Sequence, residues 1–110
     1  MSMQDPEDIP VTRGRTAQRW TFLSLHALVL GLIARRQDIT MRDIARALDI
    51  SERWVQQIVR QLVDAGYVSR QRNGRHNEYV VHLQLPLRHD LVRNCPVEKM
   101  VTLILEAVEM

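Results

Sequence analysis

The chain has 110 residues, 45 % of them hydrophobic and 25 % charged, with a formal net charge of +2 and a single cysteine. That length supports one small domain, a lone cysteine excludes an intrachain disulfide, and no run of ~18 apolar residues offers a membrane span. The net charge says little about partners, but its distribution is uneven: residues 35–76 hold nine arginines against five acids, while the part from His82 onward is slightly acidic.

Residues 1–15 mix Pro, Gly, acids and Arg with no apolar period, and read as a flexible N-terminal arm. The stretch is acidic, contains Pro and lacks the character of a signal peptide, so a cytoplasmic protein is expected. From Trp20 the chain turns apolar. A helix is expected over 24–35 with Ser24 as its cap, because Leu25, Leu28, Val29, Leu32 and Ile33 recur at helical spacing. Residues 16–23 read as an extension of it. Trp20, Phe22 and Leu30 are surplus to that face, which points to burial by a second protomer, with Gly31 permitting a close helix contact there. His26 reads as a hydrogen-bonded residue of that interface. Asp38 and Ile39 are expected to form a short first strand.

Residues 40–67 read as two helices joined by a turn too short to let them separate. Thr40 caps the first, with Asp43 near its positive end, and Ile44, Ala45 and Leu48 form its apolar face. Ser51 starts the second and Glu52 sits in its first turn; Val55, Ile58, Val59 and Leu62 form the buried stripe, and Gly66 stops it by taking a positive φ. Asp49 and Ile50 alone are left for the turn, with Ile50 plugging the corner. Off the stripe lie Glu52, Arg53, Gln56, Gln57 and Arg60, all long and hydrogen-bonding. A helix fits the major groove of DNA, where Arg pairs with guanine and Gln with adenine, although an ordinary solvated face would also be polar. Next come two β-rich runs separated by Asn73-Gly74, a strong hairpin signal. Arg70, Arg72, Asn73, Arg75, His76 and Asn77 crowd its tip and flanks. A basic hairpin after a recognition helix is a wing, suited to phosphates and, through Arg75, to the minor groove.

The segment from about residue 21 to 81 resembles the winged helix-turn-helix of MarR-type prokaryotic transcription regulators. The residues that carry the likeness are Ala45 and Leu48, Ile50-Ser51, Val55-Gln56, Leu62, Ala65-Gly66-Tyr67-Val68 and the wing Arg72-Asn73-Gly74-Arg75. Asp49 stands where the turn usually has Gly, Trp54 where a small or hydroxyl residue is usual, and Gln57 where Arg is frequent. Trp54 has two readings: stacking on sugar-phosphate at the groove edge, or covering the core below the turn.

After the wing, residues 83–95 read as a connecting loop crossing the surface, broken by Pro86. Pro96 suits the first position of a last helix, in which Val97, Met100, Val101, Ile104, Leu105 and Val108 keep a complete apolar stripe. That stripe can be buried on the first helix of the same chain or on a partner copy; the resemblance implies the partner, since terminal helices make the dimer in MarR-like proteins.

The expected fold is thus mainly α with a small β-hairpin wing (α+β): an arm at 1–15, a winged helix-turn-helix domain at 16–82, a connecting loop at 83–95 and a C-terminal dimerisation helix at 96–110. The expected function is a homodimeric transcription regulator binding double-stranded DNA. Its expected DNA contacts are Arg42, Ser51, Glu52, Arg53, Gln56, Gln57, Arg60, Arg72, Asn73, Arg75 and His76, and its dimer contacts Trp20, Phe22, Val97, Met100, Val101, Ile104, Leu105 and Val108. No enzyme, cofactor or metal is expected: no nucleophile with its base or Gly-rich phosphate loop is present, and His82, His89 and Cys95 match no compact ligand spacing. Two alternatives stand beside it: a winged helix used for protein–protein interaction, and a regulator switched by Cys95 oxidation or a small-molecule effector of unknown identity. For the latter, the short C-terminal part leaves little room for a pocket.

Overall fold

Among the described residues, three of the four α-helices begin at hydroxyl residues that cap their free amides. In the computed structural model, which describes residues 21–108, Ser24 Oγ accepts from Ala27 N–H ahead of α1 (Leu25–Arg35). Thr40 Oγ1 does the same for Asp43 N–H ahead of α2 (Met41–Leu48), and Ser51 Oγ for Trp54 N–H ahead of α3 (Glu52–Asp64). Each such cap contributes about 1 kcal/mol. Thr40 and Asp43 form a reciprocal capping box: the Thr40 hydroxyl and, after a smaller opposing effect of desolvation, its backbone N–H and the cations Arg36 and Arg46 hold the Asp43 carboxyl below its ordinary value.

Two residues of positive φ set the stops. Asp49 is left-handed (φ 59, ψ 47), and the N–H groups of Asp49 and Ile50 both reach Ala45 O, which turns the chain sharply from α2 into α3. Gly66 (φ 89) ends α3, with Gly66 N–H on Val63 O and Tyr67 N–H on Leu62 O. Then β1 (Val68–Asn73) and β2 (His76–Val81) pair antiparallel, from Val68 opposite Val81 to Asn73 opposite His76. The turn therefore has Gly74 and Arg75 at its centre, one residue beyond the expected Asn73-Gly74. Gly74 alone there has positive φ (67), the pattern of a turn that needs glycine only in its first central position.

The four helices and the hairpin make a winged-helix α+β fold around one core. Ile33, Ile44, Ile58, Val29, Val55, Val68, Val97 and Val101 are its largest fully buried side chains, and every helix contributes at least one. The expected first strand at Asp38-Ile39 is absent as a strand. Ile39 is buried, and one backbone bond, Tyr79 N–H to Gln37 O, ties this segment to the wing.

The C-terminal helix α4 (Val97–Ala107) departs most from expectation. Pro96 is its cap residue rather than its first turn. A proline side chain has no hydrogen-bonding group to cap with, and the preceding segment supplies carbonyls instead: Val97 N–H bonds Leu85 O and Glu98 N–H bonds Leu83 O. That segment is less a surface loop than a docked ribbon. Leu83, Leu85 and Leu87 pack on the core while Gln84, Pro86 and Arg88 face solvent, Pro86 bridges Pro96, and a single 3-10 turn covers Asp90–Val92. Tyr67 OH donates to Pro86 O and pins it.

The apolar stripe of α4 is buried by its own chain, which corrects the expected partner burial. Val97, Val101 and Ile104 are at most 3 % exposed and pack with α1, where Gly31 lies directly under Ile104. Gly31 thus serves an intrachain contact, and Leu30, expected to be surplus, is buried too. What α4 leaves in solvent is Leu103 (56 % exposed) and Leu105 (37 %), joined elsewhere by Phe22 at 93 %. Met100 and Val108 are half-buried, and Trp20 lies outside the described residues. No helix among the described residues is long and apolar enough to cross a membrane.

Candidate nucleic-acid interface

Four of the side chains that α3 withholds from the core face one cleft. With Val55, Ile58, Val59 and Leu62 turned inward, Arg53, Gln56, Gln57 and Arg60 are all exposed. They line a cleft of about 530 Å³ whose other wall is the wing, through Arg70, Asn77 and the buried ring of Tyr79. Strand alternation explains that wall: paired positions share a face, so the side that buries Val68 and Tyr79 near the core presents Arg70, Arg72 and Asn77 farther out. Three arginines line the cleft against a single carboxylate, Asp64. Arg70 and Asn77 were seen in the sequence only as flanks of a basic hairpin. Counting by two from Val68 assigns Arg70 to the cleft side.

The other expected contacts divide by what already holds them. Ser51 is occupied as the cap of α3. Arg42 Nε lies 3.6 Å from Glu52 Oε2, an exposed pair that links α2 to the first turn of α3. Arg72 Nε donates to Gly74 O, and Asn73 Nδ2 to Glu78 Oε2, so both brace the wing turn. Arg75 and His76 stand exposed at its tip. Trp54 is 47 % exposed and is not one of the residues of the core cluster, so about half of its ring is open to solvent at the start of α3.

Away from this face, a second cleft of about 970 Å³ opens between α1, the end of α3, the 83–96 ribbon and the start of α4. Leu30, Leu62, Val97 and Met100 line it, with His26 and Arg88 as its basic groups. It is larger than the short C-terminal part led us to expect. His26 Nε2 is hydrogen-bonded to Gln61 Oε1 at 2.6 Å, joining α1 to α3 across one wall. Cys95 is half-buried nearby in sequence, with Sγ 3.6 Å from Pro96 O.

The model of the MarR family matches residues 21–76, just over half of the chain. The chain belongs to the MarR family. Members of that family are transcription regulators, and the match runs from the residues ahead of α1 to the start of β2, the whole helix-turn-helix and the wing turn. No curated protein matches this MarR-family chain. Among solved structures it is similar to a Mycobacterium tuberculosis MarR family protein in complex with salicylic acid, at 20 % identity and a TM-score of 0.49, over 79 % of this chain and 67 % of that one.

Proposed function

We propose that the protein is a sequence-specific regulator of transcription that binds double-stranded DNA as a homodimer, with α3 in the major groove and wing residues 70–77 on the backbone and in the minor groove. The observation that carries this reading is the cleft shared by α3 and the wing. Its arginines stand on two rigid elements facing one space, as a phosphate backbone requires, while Gln56 and Gln57 on the same helix offer paired donors and acceptors to base edges. Arg53, Gln56 and Gln57 read bases; Arg42, Arg60, Arg72 and Arg75 neutralise phosphates.

Two copies are needed for specificity. A two-fold dimer sets two recognition helices about one DNA turn apart and reads a palindromic site. Phe22, Leu103 and Leu105 supply exposed apolar surface for that contact. The unit at 16–82 acts as the DNA reader and α4, through its outer face, as the support of the dimer.

A small-molecule-responsive form of the same regulator is favoured by the 970 Å³ cleft, whose apolar floor abuts the C-terminal end of α3.

The deciding experiment is a fluorescence-anisotropy titration onto mixed-sequence duplex at 50 and 200 mM salt, with the oligomeric state measured in the same buffers. The expected result is a dimer whose affinity falls about 10³-fold or more between the two, as for proteins making six to ten phosphate contacts. A folded dimer that ignores DNA at low salt would transfer the reading to a protein-interaction module.

A further inference from the structure

Among the large exposed apolar side chains, only Trp54 lies on α3. Spacings of three and seven place it on one ridge of the helix with Gln57 and Gln61. Gln57 lines the wing cleft, whereas Trp54 and Gln61 are absent from its lining and mark the flank of α3 turned away from the wing, where Gln61 is bonded to His26 of α1. Trp54 also sits in the first turn of α3, the end of a recognition helix that contacts bases in this class of fold. Its backbone N–H is used by the Ser51 cap, but among the described residues nothing accepts from the indole N–H. The side chain thus presents an apolar ring edge and an open donor together, next to the helix end.

We propose that Trp54 is a specificity-determining residue that reads thymine, packing its ring against the C5 methyl group in the major groove while the indole N–H donates to a neighbouring phosphate. The thymine methyl is the one apolar group that base edges present in that groove, so an apolar side chain there discriminates thymine where Arg and Gln read purines. Trp54 would add a pyrimidine to a code otherwise limited to guanine and adenine. This role presupposes the DNA-binding reading above.

The test starts from a duplex selected with the wild-type protein, in which each thymine is replaced in turn by deoxyuridine, which lacks only the methyl. One position per half-site is expected to lose about fourfold in affinity, the worth of one buried carbon, and Trp54→Ala is expected to bind thymine and uracil duplexes equally. Trp54→Phe, which keeps a ring and loses the donor, retains the methyl preference with weaker binding to every duplex. The protein has two tryptophans, so the quenching on DNA binding that disappears in Trp54→Phe is assigned to Trp54. Wild-type binding with no thymine–uracil difference at any position overturns the role of Trp54 and leaves DNA binding standing. Wild-type protein that binds no duplex at all overturns both. Circular dichroism of the variants separates either result from loss of fold.

Discussion

A β-carbon on Gly31 would lie 2.5 Å from Cγ2 of Ile104 and 3.1 Å from its Cβ, so α1 and α4 meet at a separation that only glycine allows. Glycine inside a helix ordinarily costs about 1 kcal/mol relative to alanine. Here the sign reverses, because the clashing atoms belong to a β-branched side chain with little freedom to swing aside. Gly31→Ala is expected to destabilise the fold by up to about 2 kcal/mol, the usual range for overpacking less the helix gain. Urea unfolding would measure it. In a double-mutant cycle with Ile104→Ala the two costs should fall short of additive; full additivity would show that the contact is not shared.

Acid should loosen the start of α2. The Asp43 carboxyl is held below the ordinary aspartate value of 3.8, first by the Thr40 hydroxyl and further by the Thr40 backbone N–H and by Arg36 and Arg46. A depressed folded-state pKa means that the stabilisation is complete above the unfolded value and disappears as pH falls through the folded one. The stability difference between wild type and Asp43→Asn is therefore expected to be constant near neutrality and to shrink below pH 3.8. A difference that grows on acidification would contradict the capping box.

Glu52 stands in the first turn of the helix proposed to enter the groove, with the wrong charge for a phosphate. Its pairing with Arg42 is exposed on both sides and contributes little to stability. Glu52→Gln should leave the urea midpoint nearly unchanged and raise affinity for every duplex, most at low salt. Unchanged affinity would move Glu52 off the interface.

Arg75→Ala at the wing tip should reduce the slope of log affinity against log salt by about one per protomer, since one cation no longer displaces a counterion. An unaltered slope removes the wing from the contact.

The dimer prediction separates two faces of one helix. Leu103→Glu on the exposed side of α4 is expected to convert the dimer to a folded monomer by light scattering, whereas Val101→Ala, in the core, should cost about 2 kcal/mol of stability and spare association. Dimers that survive Leu103→Glu would locate the interface elsewhere.

The local chemistry of this chain was readable because it resides in single residues. Ser24, Thr40 and Ser51 announce three helix starts, Gly66 one stop, and the four-residue stripe from Val55 to Leu62 one buried face; all lie where their chemistry implies. The shift of the wing turn by one residue was not readable, since Asn and Gly both accept positive φ and only the strand pairing decides which is central. Nor was the destination of the α4 stripe. An apolar face specifies burial without naming the surface that buries it, and Gly31 marks a close approach equally well within a chain or between chains. The Leu83, Leu85, Leu87 alternation was a visible signal of a half-buried extended segment, obscured by Pro86. For the candidate interface, the sequence identified the polar face of α3 and the basic wing, but bringing Arg70 and Asn77 opposite Arg60 depends on how the hairpin leans, which is a tertiary matter.

The two carbonyls that Leu83 and Leu85 lend to α4 also make a natural gauge. In an ordinary capped helix the first amides are shielded by a side chain a few residues away and report only local fraying. The amides of Val97 and Glu98 are shielded by a ribbon that begins just beyond β2, so their hydrogen exchange reads out whether the wing strand's continuation is seated. The molecule carries at the head of its last helix a built-in reporter of whether the chain leaving the wing is docked.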